Sequence, residues 1–97
     1  AGASVASNYL LALLDAAEEI SGLDSEQLAP LVEATIAGWR TKGARQALTG
    51  PVARGDQATV SRQRSAVIES APELTPAFDA LTDLTRRLAE SSQKVAA

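Results

Sequence analysis

Cysteine and histidine are both missing from this chain of 97 residues. The lack of cysteine excludes thiol nucleophiles and disulfides, and the lack of both residues excludes the usual zinc sites. Without histidine the commonest general base is missing as well, so Ser61, Ser65 and the other hydroxyls have no partner for a serine triad. We therefore expect no metal site, and no catalytic residue can be assigned from the sequence.

Aromatic residues are scarce, with one Trp, one Tyr and one Phe, and the net charge is −3. Nucleic-acid binding is therefore not expected, because it needs positive charge and is commonly supported by aromatic side chains that stack on bases. No apolar run approaches the roughly 20 residues that span a bilayer, and no signal peptide is visible. We expect a cytoplasmic protein that does not bind membranes.

Methionine is absent too, so the chain has no initiator residue, and it begins with Ala1-Gly2-Ala3-Ser4 inside a pattern typical of a helix. This start indicates a domain excised from a longer protein. At this length we expect residues 1–97 to form a single helical domain with a modest core.

Apolar residues recur at spacings of three and four, which predicts an all-α fold. We expect a small bundle of four main helices at about 3–21, 25–41, 57–70 and 76–91, with an irregular segment at 42–56. No stretch shows the alternation of a strand. The first helix carries a wide apolar stripe that indicates a partner subunit or domain, formed by Tyr9, Leu10, Leu13, Leu14, Ala17 and Ile20.

The second helix has two possible starts. Asp24 can cap a turn that runs through Gln27, whereas Pro30 is tolerated best at the first position of a helix. Trp39, on the apolar face of this helix, is the largest apolar group of the chain, and we expect it to anchor either the core or an interface. Gly22 is the predicted stop of the first helix.

The ten residues Ala-Leu-Thr-Gly-Pro-Val-Ala-Arg-Gly-Asp that end at Asp56 are the one stretch that helical packing does not explain. Gly50, Pro51 and Gly55 break any helix, and Arg54 and Asp56 add opposite charges. Such a loop on a rigid scaffold is either a connector between helices or a cradle that faces a ligand. Asp56 can cap the third helix or hold Arg54 in place, and the planar fork of Arg54 suits a carboxylate or a phosphate.

Positive charge is concentrated around this loop. Residues 1–39 carry six acids and no base, whereas residues 40–64 carry six bases and one acid. The pattern fits either a solvated basic face that pairs with neighbouring acids or a local field that attracts an anion.

Three stretches of the chain resemble one protein family: Ser7-Asn8-Tyr9-Leu10, Gly22-Leu23 and the ten residues that end at Asp56. From about Ala3 to about Glu90 the chain is similar to a C-terminal domain of unknown function that follows a Rossmann-like dinucleotide-binding domain in a group of bacterial proteins. Those proteins are similar in layout to pyrroline-5-carboxylate reductase and, more distantly, to 6-phosphogluconate dehydrogenase. The resemblance is specific over the ten residues and generic elsewhere.

The resemblance implies a helical domain that dimerises, like the C-terminal domain of 6-phosphogluconate dehydrogenase. Together with the wide apolar stripe of the first helix and the small core, it predicts a homodimer built largely from the first and fourth helices. NAD(P) would bind the N-terminal Rossmann domain that this chain lacks, and no cofactor would bind this chain, which has no Gly-x-Gly-x-x-Gly. The whole protein would be an NAD(P)-dependent oxidoreductase acting on a small anionic substrate, and this domain alone would catalyse nothing. The alternative is a non-enzymatic helical adaptor that docks an acidic protein partner through the basic middle segment.

The resemblance also implies where the substrate binds. Thr49 would donate a hydroxyl hydrogen bond, and Gly50 would let the substrate approach the backbone closely. In this family a histidine often follows the ten residues, in the third helix. This chain has Gln63 in that neighbourhood and no histidine, so no acid–base role is carried over. The implied substrate-binding residues, which would line a cleft toward the Rossmann domain, are Asn8, Thr49, Gly50, Pro51, Arg54, Gly55 and Asp56.

Overall fold

The computed structural model describes the backbone of residues 1–96 and the side chains of residues 1–91. A 3-10 turn at Pro72–Leu74 precedes the last of six α-helices, which are α1 (Gly2–Ser21), α2 (Ser25–Lys42), α3 (Ala44–Ala47), α4 (Pro51–Arg54), α5 (Gln57–Ser70) and α6 (Thr75–Ala96). No strand occurs in this part of the chain, so the predicted all-α fold is confirmed. α6 passes the predicted end near residue 91, because neither glycine nor proline follows there to stop it.

The segment at 42–56, predicted to be irregular, contains the two one-turn helices α3 and α4. Gly43 at φ 82° and Gly50 at φ 100° redirect the backbone before each turn. The first turn is closed by a hydrogen bond from the Leu48 N–H to the Ala44 carbonyl at 3.1 Å. The prediction was wrong here because the glycines interrupt the long helices but leave the residues between them able to form single turns.

The ends of the long helices follow local side-chain chemistry. Gly22 adopts the left-handed conformation at φ 73°, and its N–H donates to the Glu18 carbonyl at 2.9 Å. Before α2, the Gln27 N–H donates to Asp24 Oδ1 at 2.9 Å, and the Asp24 N–H donates to Gln27 Oε1 at 3.0 Å. This capping box starts α2 directly after Asp24. Pro30 therefore lies inside the helix and is not its first residue.

The core lies along α5, which contacts α1, α4, α6 and the 3-10 turn. The side chain of Val67 on α5 is 1% exposed, and Ala71, directly after α5, is fully buried. They are the buried hydrophobic residues of the described chain. α3 and α4 both pack against α6, while α2 packs on α3 with Gly38 facing Ala47. The fold thus holds the loop before α5 against α6 around a small core.

Many apolar side chains on the predicted apolar faces of the helices are exposed to solvent. The Trp39 side chain is 59% exposed, so the prediction that it anchors the core is wrong, whereas its place in an interface stays a prediction. Tyr9 and Leu11 on α1 and Leu31 on α2 are also exposed. The reason is geometric, since the single turn of α3 covers only a small part of the 18-residue α2.

The accessible surface is large for a chain of this size. It amounts to 7145 Å², whereas a compact monomer of 10.0 kDa exposes about 5,200 Å². The radius of gyration is 14.0 Å, against about 12.5 Å for a compact domain of 97 residues. Both measures indicate helix faces that the chain itself does not cover. Among the described helices, none combines the length and the apolar character that crossing a membrane requires.

Candidate functional site

A cleft of about 540 Å³ opens beside the loop that sequence analysis singled out. Its first wall is the segment from Pro51 to Gln57, which comprises α4 and the start of α5. The rest of the wall comes from later in α5 and from α6, and is formed by Val60, Ser61, Arg64, Arg86, Ala89 and Glu90. The volume lies within the range of about 300–1,000 Å³ that is usual for small-molecule sites.

The backbone of the first wall is held by its own hydrogen bonds. Pro51 occupies the first position of α4, where its missing N–H is not needed. At the other end of the turn, Gly55 adopts the left-handed conformation at φ 71°, and its N–H donates to the Val52 carbonyl at 3.1 Å. The Asp56 N–H reaches back to the Pro51 carbonyl at 2.8 Å. Glycine and proline therefore define the path of this wall, because Gly55 adopts a positive φ that other residues avoid and the ring of Pro51 fixes its own φ.

Asp56 is the N-cap residue of α5, directly before its first residue. Its Oδ1 accepts from the Thr59 N–H at 3.1 Å, and its Oδ2 accepts from the Thr59 hydroxyl at 2.7 Å. The Thr59 hydroxyl also accepts from Arg62 Nη2 at 2.9 Å. The hydrogen bonds from Thr59, followed by the nearby charge of Arg54, hold the pKa of Asp56 below its ordinary value. The predicted cap is confirmed.

Arg54 lies on the same wall, and its side chain makes only one weak ion pair there. Its Nη2 lies 3.8 Å from Asp56 Oδ2, which is too long for a hydrogen bond, and its side chain is 64% exposed. An exposed ion pair of this length contributes little to stability. Asp56 therefore holds Arg54 only weakly, and Arg54 lines the cleft with a side chain that is largely exposed to solvent.

Two further arginines, which the sequence did not indicate as site residues, also line the cleft and add positive charge to it. Arg64 Nε and Nη2 donate to Asp79 Oδ1 and Oδ2 at 2.8 and 3.0 Å, a bidentate pair that ties α5 to α6 and lowers the pKa of Asp79. Arg86 Nη1 donates to Asp83 Oδ1 at 2.9 Å along α6. An ion pair between Asp83 and Arg86 was predictable from the sequence, because residues three positions apart are neighbours on a helix. No sequence signal placed Arg86 opposite the loop.

Residues 1–85 match a protein family described as Domain of unknown function (DUF2520). The chain belongs to this family. The match includes α1 to α5 and the first half of α6, so the loop wall of the cleft lies inside it and Arg86 lies just beyond it. No curated protein and no solved structure matches the chain. The resemblance to a domain of unknown function is thus confirmed.

The seven implied substrate-binding residues of this DUF2520 domain separate into two groups. Four of them line the cleft: Pro51, Arg54, Gly55 and Asp56. Thr49 and Gly50 immediately precede the wall without lining it, and Asn8 lies on the exposed N-terminal half of α1. Substrate binding by all seven stays a prediction. In the part of the chain that the structure describes, no group of three or more metal-ligating side chains could hold a metal ion.

A second groove, of about 280 Å³, runs between α1 and α6. Its walls are mostly apolar and include Leu13, Ala17, Ile20, Phe78 and Leu81. Val52 lines both this groove and the cleft, so the loop of the DUF2520 domain lies between an apolar surface and a charged one. The groove indicates where the wide stripe of α1 is only partly covered by its own chain.

Proposed function

We propose that this DUF2520 domain is the dimerisation and substrate-site domain of an NAD(P)-dependent oxidoreductase that acts on a small anionic substrate. The observation that carries the proposal is Arg54, which lies on an ordered cleft wall and forms no hydrogen bond with Asp56, its ion-pair partner at 3.8 Å. A planar guanidinium in such a place can bind a carboxylate or phosphate through two parallel hydrogen bonds. The redox chemistry rests on the resemblance to domains that follow a Rossmann fold.

The chain's own residues do not fit a dinucleotide. No Gly-x-Gly-x-x-Gly occurs in the sequence, so the turn that brings a pyrophosphate to a helix N-terminus is missing here. We therefore assign NAD(P) to a preceding domain of the same protein and assign no cofactor contact to this chain. What this chain supplies is a wall of the substrate site, with Arg54 to orient the anionic end of the substrate.

The homodimer is supported by the area and chemistry of the uncovered surface. The chain exposes about 1,900 Å² more than a compact monomer of its mass. That excess is of the order that each subunit buries in an obligate homodimer, where the total is about 2,000–5,000 Å². Leu13 on α1 and Leu81 on α6 are exposed and line the apolar groove, and Tyr9 and Leu84 are exposed on the same two helices. We propose that α1 and α6 of a second copy cover them.

Sedimentation equilibrium tests the assembly. The 97-residue chain should sediment as a dimer at high micromolar concentration, and Leu84→Glu on α6 should shift it toward monomer because a charge would be buried in the interface. Leu31→Glu is the matched control, since Leu31 is exposed on α2, away from the groove. A monomer at every concentration would contradict the homodimer and would assign the apolar face to the preceding domain.

NADPH titration of the full-length protein tests the enzyme class. An oxidoreductase should bind NADPH, whereas an adaptor that docks an acidic protein through the basic segment has no reason to do so. In the full-length enzyme, Arg54→Lys should raise the KM for the anionic substrate and leave the melting temperature unchanged, because lysine keeps the charge but loses the planar fork. Earlier melting with an unchanged KM would make Arg54 a structural residue and the loop a connector.

A further inference from the structure

We infer that the cleft takes a ligand with two anionic groups, one bound by Arg54 and the other by Arg86, separated by an apolar spacer. The inference rests on the proposed substrate site and names its ligand class. It depends on three arginines from three helices that line one cleft, since Arg54 lies on α4, Arg64 on α5 and Arg86 on α6.

The three arginines differ in how many donors they have left. Arg64 donates hydrogen bonds from Nε and Nη2 to Asp79, and this pair connects α5 to α6. Arg86 donates a hydrogen bond from Nη1 alone, to Asp83, and its side chain is 54% exposed. Arg54 makes no side-chain hydrogen bond within the described residues. A guanidinium carries five N–H donors, so Arg54 and Arg86 each keep enough for a bidentate bond to an oxyanion.

The remainder of the wall suits an apolar spacer. Val52, Val60 and Ala89 also line the cleft, and their side chains are apolar. Asp56 is also on the wall, but its two oxygens accept from Thr59. Glu90 is a further acid there and repels an anionic ligand, so Glu90→Gln should tighten binding. A dicarboxylate or a phosphorylated carboxylate has the required charges, and glutarate is a probe of that class.

The experiment compares glutarate with pentanoate, which has the same number of carbons and one carboxylate, on the 97-residue chain at constant ionic strength. Amide chemical shifts of Val52, Gly55 and Ala89 should follow each titration. We expect the Kd of glutarate to be at least about tenfold lower than that of pentanoate, because the second carboxylate gains a charge-assisted bidentate bond. Equal affinities, or no binding of either acid, would overturn the inference without any variant.

Two variants and a control identify the residues. Arg54→Gln and Arg86→Gln should each weaken glutarate binding to about the level of pentanoate, whereas Arg87→Gln, adjacent on α6 and outside the cleft wall, should not. All three remove one positive charge, and far-ultraviolet circular dichroism checks their folding. Equal effects of Arg86→Gln and Arg87→Gln would refute the role of Arg86. That result would leave the proposed function standing, since NADPH binding by the full-length protein does not depend on Arg86.

Discussion

Val67→Ala is the substitution that most directly tests the small core on which the cleft rests. Val67 is 1% exposed, and α5, which carries it, is contacted by α1, α4, α6 and the 3-10 turn. Removing two buried methyl groups costs about 1.6 kcal/mol at about 0.8 kcal/mol per group, and a residual cavity adds to that. The better helix propensity of alanine returns about 0.5 kcal/mol. A net loss of about 1.5 kcal/mol should lower the melting temperature by roughly 10 °C in a domain of this size.

Urea unfolding followed by circular dichroism at 222 nm measures this loss. It should be run at several protein concentrations, because a homodimer makes apparent stability depend on concentration. Val5→Ala is the matched control, since it makes the same change in a helix at a position that is 49% exposed. It should alter the free energy of unfolding by less than about 0.5 kcal/mol. If both variants unfold at the same urea concentration, the burial of Val67 contributes nothing and the core has been misplaced.

Three further predictions concern single sites. Asp56→Ala should speed amide exchange at Thr59 and lower the melting temperature, whereas Asp56→Asn, which keeps an acceptor for the cap, should change both little at pH 7. The pKa of Asp56 is lowered from 3.8, so its stabilisation is present above that value and is lost as the pH falls through the folded-state pKa. Between pH 5 and 2, wild-type stability measured by urea unfolding should therefore fall more steeply than that of Asp56→Asn; parallel curves would refute the linkage. Gly38→Ala should stabilise the chain by about 0.5–1 kcal/mol in the same assay, because the new Cβ would meet the Ala47 Cβ at an ordinary 3.7 Å. Gly22→Ala should instead destabilise it by about 1 kcal/mol or more, because Gly22 has φ 73°; a stabilised Gly22→Ala would contradict the left-handed cap.

Part of the candidate site was predictable because turn chemistry acts over a few residues. Pro51 and Gly55 shape the wall through their own backbone angles, and Asp56 caps the helix that follows within three residues. Arg54 was predictable as a charge on that wall. Arg86 was not, because it reaches the cleft only through the packing of α4 against α6, two helices far apart in sequence.

The sequence by itself determined the all-α class, the four long helices and most of their ends. These features depend on contacts between residues three or four positions apart, as in the Asp24 capping box and the Gly22 stop. Only the tertiary structure decided that Trp39 is exposed, that Arg64 joins Asp79 across 15 positions, and that a cleft opens between the loop and α6. Apolar periodicity shows which face of a helix needs a cover, but what covers it depends on how distant segments of the chain pack together.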